Sequence, residues 1–142
     1  MSMVPFITAM NTRFASLVTR MTGGGSYYFG IAPQEARSNY PYMVASVLDS
    51  GGAEYYGGTD DVTEETPVAL MIVALSAAAC YEALALVEKD LRDNALTLST
   101  GTVCAAYSGP QAVEPDPELD EEGREVWLGR FIIEFRIQRS LT

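Results

Sequence analysis

Apolar residues recur along the first segment at helical spacing. Phe6, Met10, Phe14, Leu17 and Met21 follow one another at intervals of four, four, three and four, and Asn11, Thr12, Arg13 and Thr19 fall on the other side. Pro5 suits the first turn, whose N–H groups lack helical partners in any case. Gly23, Gly24 and Gly25 end the helix, and the first of them suits a left-handed C-cap. Tyr27 to Ala32, followed by Pro33, reads as an irregular aromatic stretch. Tyr40 to Leu48 reads as a strand with Pro41 at its start, where a missing donor is tolerated.

Gly51, Gly52, Gly57 and Gly58 then mark a long, flexible hairpin connection that contains Tyr55 and Tyr56. The strand after it, Thr66 to Ala74, is apolar on both faces. Val68, Leu70 and Ile72 fall on one and Ala69, Met71 and Val73 on the other, so something must cover each. Ser76 is placed to cap a helix from Ala77 to about Arg92 with Cys80, Leu84, Val87 and Leu91 as its apolar stripe. Two further strands follow, Leu96 to Tyr107 and Arg124 to Arg139. In the last, Trp127, Phe131, Ile133, Phe135 and Ile137 face one way and Arg124, Arg130, Glu134, Arg136 and Gln138 the other.

This order, helix-β-β-helix-β-β, predicts an α+β fold: an antiparallel sheet of about four strands with two helices mainly on one face, residues 1–142 forming a single domain. A final strand of roughly 15 residues would span about 50 Å. A domain of this size is only about 37 Å across, so the last hairpin should reach or overshoot its edge. Two helices on one face leave the second face of the doubly apolar strand uncovered. Either the N-terminal helix crosses to it, or a neighbouring subunit does, and the second is the favoured expectation.

Composition narrows the chemistry. Nineteen acids stand against nine bases, a formal net charge of −10, which disfavours sequence-independent nucleic-acid binding. Histidine is absent, which removes Ser–His, Cys–His and His–metal chemistry. Cys80 and Cys104 are far apart, without C-x-x-C spacing, and read as two buried small hydrophobes in a reducing cytoplasm. No basic lead precedes the first apolar residues, so no signal peptide is expected, and no apolar run is long enough to span a bilayer. The glycine run at Gly23 lacks the lysine and preceding strand of a phosphate loop.

Thirteen of the acids fall in two stretches, Asp49 to Glu65 and Glu114 to Glu125. The second is the best candidate for a site: Asp116, Glu118, Asp120, Glu121 and Glu122. Alternating oxygens suggest calcium, but the EF-hand template fails at its sixth position, Glu121 in place of Gly, and its twelfth, Trp127 in place of Glu. No catalytic residue, metal or cofactor is expected. The first stretch offers Glu54, Tyr55, Tyr56, Asp60 and Asp61 as a docking hairpin. Glycine content and like charge make both stretches poor at packing alone, so both are expected to order on contact with neighbours.

The run Ile31-Ala-Pro-Gln, a short gap, then Tyr40-Pro-Tyr-Met-Val resembles the lead-in to the first strand of the tail-completion or tail-terminator proteins of long-tailed phages. The order of helix, strand, glycine-rich hairpin, strand, a helix beginning with Ser76 and carrying Glu82-Ala83, and a final ribbon is similar over nearly the whole chain. The resemblance implies a non-enzymatic virion protein, made in the host cytoplasm. It would form a ring of six subunits that terminates the tail tube and joins it to the head. Its partners would be its own copies, the tail tube protein and a head-completion or adaptor protein. DNA would pass through without specific binding, the acidic residues of one loop lining the channel, and no membrane is involved. Unlike the family's second strand, Val68 to Val73 does not alternate with polar residues. A head-completion adaptor, a component of a phage-like contractile device and a small-molecule-binding α+β domain remain open alternatives.

Overall fold

Among the described residues seven strands form one sheet, and both helices lie on the same face of it. The computed structural model describes residues 4–35, 39–48, 53–55, 61–98 and 103–140. The elements in chain order are α1 (Val4–Leu17, continued by a 3₁₀ turn, Val18–Arg20), β1 (Ser26–Phe29), β2 (Tyr42–Val47), β3 (Ala53–Tyr55), β4 (Asp61–Ala74), α2 (Ala77–Asp93), β5 (Leu96–Thr97), β6 (Val103–Pro115) and β7 (Trp127–Ser140). Across the sheet the order is β1-β2-β4-β7-β6-β5, with β3 on the same edge of β4 as β2. β1 runs parallel to β2, and the other pairs are antiparallel.

The α+β class and both helices match the sequence expectation, while the four antiparallel strands become a mixed sheet of seven. The four expected strands are β2, β4, β6 and β7, although β6 runs from Val103 to Pro115 rather than from Leu96 to Tyr107, and β7 starts at Trp127 rather than Arg124. The additions are short. β1 comes from the aromatic stretch read as irregular, β3 from the hairpin connection, and β5 from the start of the strand expected at Leu96. Segments of two to four residues are too brief to display a period, and only their pairing partners make them strands. β4 also begins earlier than Thr66. Its polar first turn pairs with β7 in a register running from Asp61↔Ser140 to Ala74↔Trp127, and Glu65 meets Arg136 across the ladder at 2.9 Å.

Under the helices lies the main core. Phe6, Met10, Phe14, Leu17 and Met21 are all buried, as their spacing predicts, against Val68, Leu70, Ile72, Phe131, Ile133, Phe135 and Ile137. Phe6 meets Phe135 edge to face with ring centroids 5.2 Å apart. The Ser76 hydroxyl accepts from the Ala79 N–H at 3.1 Å, the expected N-cap. At the other end of α2, Arg13 donates to the Asn94 and Ala95 carbonyls and, with Arg20, to Asp90. Cations there meet the unpaired carbonyls and the negative end of the helix dipole, and they tie α1 to α2. Gly129 leaves room where α2 crosses β7, because a Cβ there would lie 2.8 Å from the Phe131 ring and 3.2 Å from Cys80 Cβ.

Cys80 and Cys104 are both buried, as expected, and burial raises both thiols, Cys104 to about 11. Gly23 takes a left-handed φ of 84°, but Met21 is already extended, so the glycine serves the turn after the helix rather than its cap.

Neither helix crosses to the second face. The chain's own loops cover one end of it instead: Ala32, Tyr42, Val44, Val73 and Val126 form a smaller buried cluster with Tyr28, Tyr40, Met71 and Leu128 around it. The sequence alternatives of a crossing helix or a neighbouring subunit omitted this covering by Ala32, Tyr40 and Val126.

Candidate functional site

The acidic segment is a folded loop built around Asp120. β6 takes up Glu114 and Pro115, and the loop proper starts at Asp116. Asp116 Oδ1 accepts from the Glu118 N–H at 3.0 Å. Asp120 Oδ1 accepts from the backbone N–H groups of Glu122 at 3.0 Å and Arg124 at 2.7 Å. Its Oδ2 takes the Arg124 guanidinium at 2.9 Å and the Tyr40 hydroxyl at 3.2 Å. Gly123, at φ 77°, permits the turn that returns the chain, and its N–H donates to the Asp120 carbonyl at 3.0 Å. The Arg124 guanidinium lies 5.1 Å above the Tyr40 ring, and Tyr40 stacks on Tyr42.

These contacts decide the electrostatics. Desolvation alone would raise the Asp120 carboxyl, but the Arg124 N–H, the guanidinium and the Tyr40 hydroxyl outweigh it and hold the group below the ordinary aspartate value. Tyr40 is pushed up to about 12, first by burial and then by its hydrogen bond to the Asp120 carboxylate. The loop therefore folds on the protein's own hydrogen bonds. The expectation that it packs poorly alone does not hold around Asp120.

The candidate residues separate by role. Asp116 and Asp120 are bound within the loop, whereas Glu118, Glu121 and Glu122 stay exposed, Glu122 lying 3.1 Å from Arg124. Between loop and sheet lies an open depression of about 460 Å³ with Tyr40, Tyr42, Met71, Val73, Val126 and Leu128 as its floor and the loop carboxylates at its rim. In the hairpin, Glu54 and Tyr55 pair along the backbone with Thr63 and Val62, and Asp61 lies opposite Ser140. Tyr56 and Asp60 lie outside the described residues.

The structure does not bring the two candidate elements together. The loop adjoins Trp127 at one end of the β4–β7 ribbon and the hairpin joins the end at Asp61 and Ser140. Thirteen residue steps separate those ends, about 43 Å along the strand.

A second depression, of about 500 Å³, opens on the same face beyond the loops. Val44, Ser46, Ala69, Met71, Ala112 and Ile132 line it, and Arg130, ion-paired to Glu114, stands at its wall. No individual residue marks this place in the sequence. The signal for it is the doubly apolar run from Val68 to Val73. Among the described residues no group of three or more acidic or cysteine side chains is placed to hold a metal ion, and no helix is long and apolar enough to cross a membrane.

The fold thus defines an α+β protein with a mixed sheet, helices on one face and a loop-rimmed apolar floor on the other. No family model matches the chain, and no curated protein matches it. Among solved structures, it is similar to a component of the virion of a native gene transfer agent particle. That likeness covers 88% of this chain and 84% of the other, with a TM-score of 0.54 and 13% identity. A second solved structure, whose name states no activity, is similar over 98% of this chain and 97% of its own, with a TM-score of 0.54 and 16% identity. At such identities the likeness is one of fold.

Proposed function

We propose that this chain is a non-enzymatic structural protein of a phage-type virion, acting as one domain. In the finer reading it is the ring subunit that terminates the tail tube and joins it to the head. The observation that carries the proposal is the fold shared with a gene transfer agent virion component over most of both chains. The doubly apolar β4, covered by helices on one face and only partly by loops on the other, supports assembly with copies of itself. Its partners are then the tail tube protein at one side of the ring and a head-completion or adaptor protein at the other. The hairpin of Glu54, Tyr55, Tyr56, Asp60 and Asp61 would dock one of them.

DNA passes through such a ring without being held. An acidic lining repels the duplex over about 8 Å in 0.15 M salt, whereas basic residues would bind it by releasing counterions. The exposed Glu118, Glu121 and Glu122 suit that lining, with Asp120 as the residue that shapes the loop. The test is Glu118→Lys, Glu121→Lys and Glu122→Lys together, leaving Asp120 intact. Particles should assemble, eject DNA slowly and recover in raised salt. Ejection at the normal rate would place the loop outside the channel, and electron microscopy placing the chain as an isolated outer decoration would remove the ring itself.

An adaptor role in the neck, or a place in a phage-like contractile device, fits the same virion neighbour. Particles lacking the chain separate these readings. Tails of unregulated length beside full heads indicate a terminator; heads that leak DNA indicate an adaptor.

A further inference from the structure

We infer that the open apolar depression on the second face is the seat for the first two turns of α2 from a second copy, so that subunits join head to tail. The inference rests on the ring reading and names its contact.

β4 is apolar on both sides, and a strand of that kind ordinarily lies between two helical layers. Here both helices sit on one face, while Ala69, Met71 and Ile132 remain partly exposed on the other. The floor spans β2, β4, β7 and β6. Three inter-strand steps of roughly 4.8 Å make it about 14 Å wide, enough for a helix about 10–12 Å across. The edges, at Gly30 on one side and Pro110 on the other, suit one helix and no more.

The same chain carries the complementary surface. Leu75 and Tyr81 are 44% and 55% exposed, although both are large and apolar in body. Ala78 and Ala85 flank Tyr81 on the outer side of α2 and are exposed too. Small residues around one aromatic anchor let a helix approach a sheet closely. Glu82, next to Tyr81, is an exposed carboxylate that can share the Arg130 guanidinium with Glu114 at the depression. Beyond Ala85 the outer side turns to Glu88, Lys89 and Arg92, so only the N-terminal turns fit an apolar floor. Knob and seat lie on opposite sides of one sheet, so no copy can satisfy its own. Each must use a neighbour's, and a repeated contact between unlike surfaces closes into a ring when its rotation allows.

The experiment places Ala85→Cys and Ala112→Cys in one chain, Ala112 being exposed and opposite Arg130 on the depression face, and treats it with a short bismaleimide at the highest soluble concentration. The native thiols are buried, so the introduced ones react. A ladder of covalent multimers is expected from the double variant, and dimers only from a mixture of the two single variants. Adding Ala69→Glu should cut the ladder by roughly tenfold or more, because position 69 faces Ser46 and Ile132 across the sheet and the carboxylate would be desolvated unpaired. Tyr81→Glu, at an exposed helix position that leaves the sheet untouched, should do the same. Rings seen by light scattering without these cross-links, or a ladder indifferent to both glutamates, would overturn this contact and leave the ring standing. A chain that yields neither cross-links nor rings removes both.

Discussion

On β4 two sets of residues that look alike in sequence meet opposite surroundings. Val68, Leu70 and Ile72 are at most 1% exposed beneath the helices, whereas Ala69 and Met71 on the other face keep part of their surface in solvent. β7 repeats the contrast within one dipeptide: Phe131 lies in the main core and Ile132 borders the open depression. Apolar character says that a side chain is better off covered. Which face is covered within one chain depends on where the helices land.

The sharpest way to break that comparison is to truncate both neighbours. Phe131→Ala should cost about 3–5 kcal/mol, lost transfer energy plus a cavity, and Ile132→Ala under about 1 kcal/mol. Denaturant melts measure both. Equal losses would mean that the open face is as well packed as the helix face.

A smaller effect, of opposite sign, is expected within the covered face. Thr66 is 1% exposed and its hydroxyl has no hydrogen-bond partner. Thr66→Val keeps the shape and removes the unmet group, and should raise stability by about 1 kcal/mol. A loss in the same melts would show that the hydroxyl is satisfied after all.

The least global effect belongs to the loop that covers part of the open face. Asp120 titrates below the free value of 3.8, so its contribution is complete above 3.8 and fades as pH falls through the folded value, the unfolded chain taking up the proton first. Tyr40 gives the opposite limb. It stays protonated to about 12 against an ordinary 10.0, so its contribution is present below 10.0 and is lost as pH rises toward 12. Between these limits the Arg124 amide, which donates to Asp120, should exchange slowly. Asp120→Ala should make it fast and leave the Phe131 amide unchanged. Unaltered protection at Arg124 would deny Asp120 its role in holding the loop.

Much of the architecture was legible because periodicity reports local geometry directly. The spacing of Phe6, Met10, Phe14 and Leu17, the Ser76 cap, the stripe from Cys80 to Val87 and the alternation along β7 each follow from 3.6 or 2 residues per repeat. The carboxylates of the loop were visible too, as an unpaired run of charge. Their division into bound and exposed groups was not. It depends on Tyr40, eighty residues before Asp120, which reaches the loop only because β2 and β7 flank the same strand.

What the amino-acid order determined by itself was thus the α+β class, the two helices, the four long strands, the apolar seams and the absence of histidine chemistry. Only the tertiary structure decided that β1 pairs in parallel with β2, that both helices share one face, and that loop and hairpin stand at opposite ends of the ribbon. The physical reason is one of range. Helical and strand periods are written between residues a few positions apart. The side of the sheet on which a helix settles is a choice among distant surfaces of similar hydrophobicity, and it is made when the whole core packs at once.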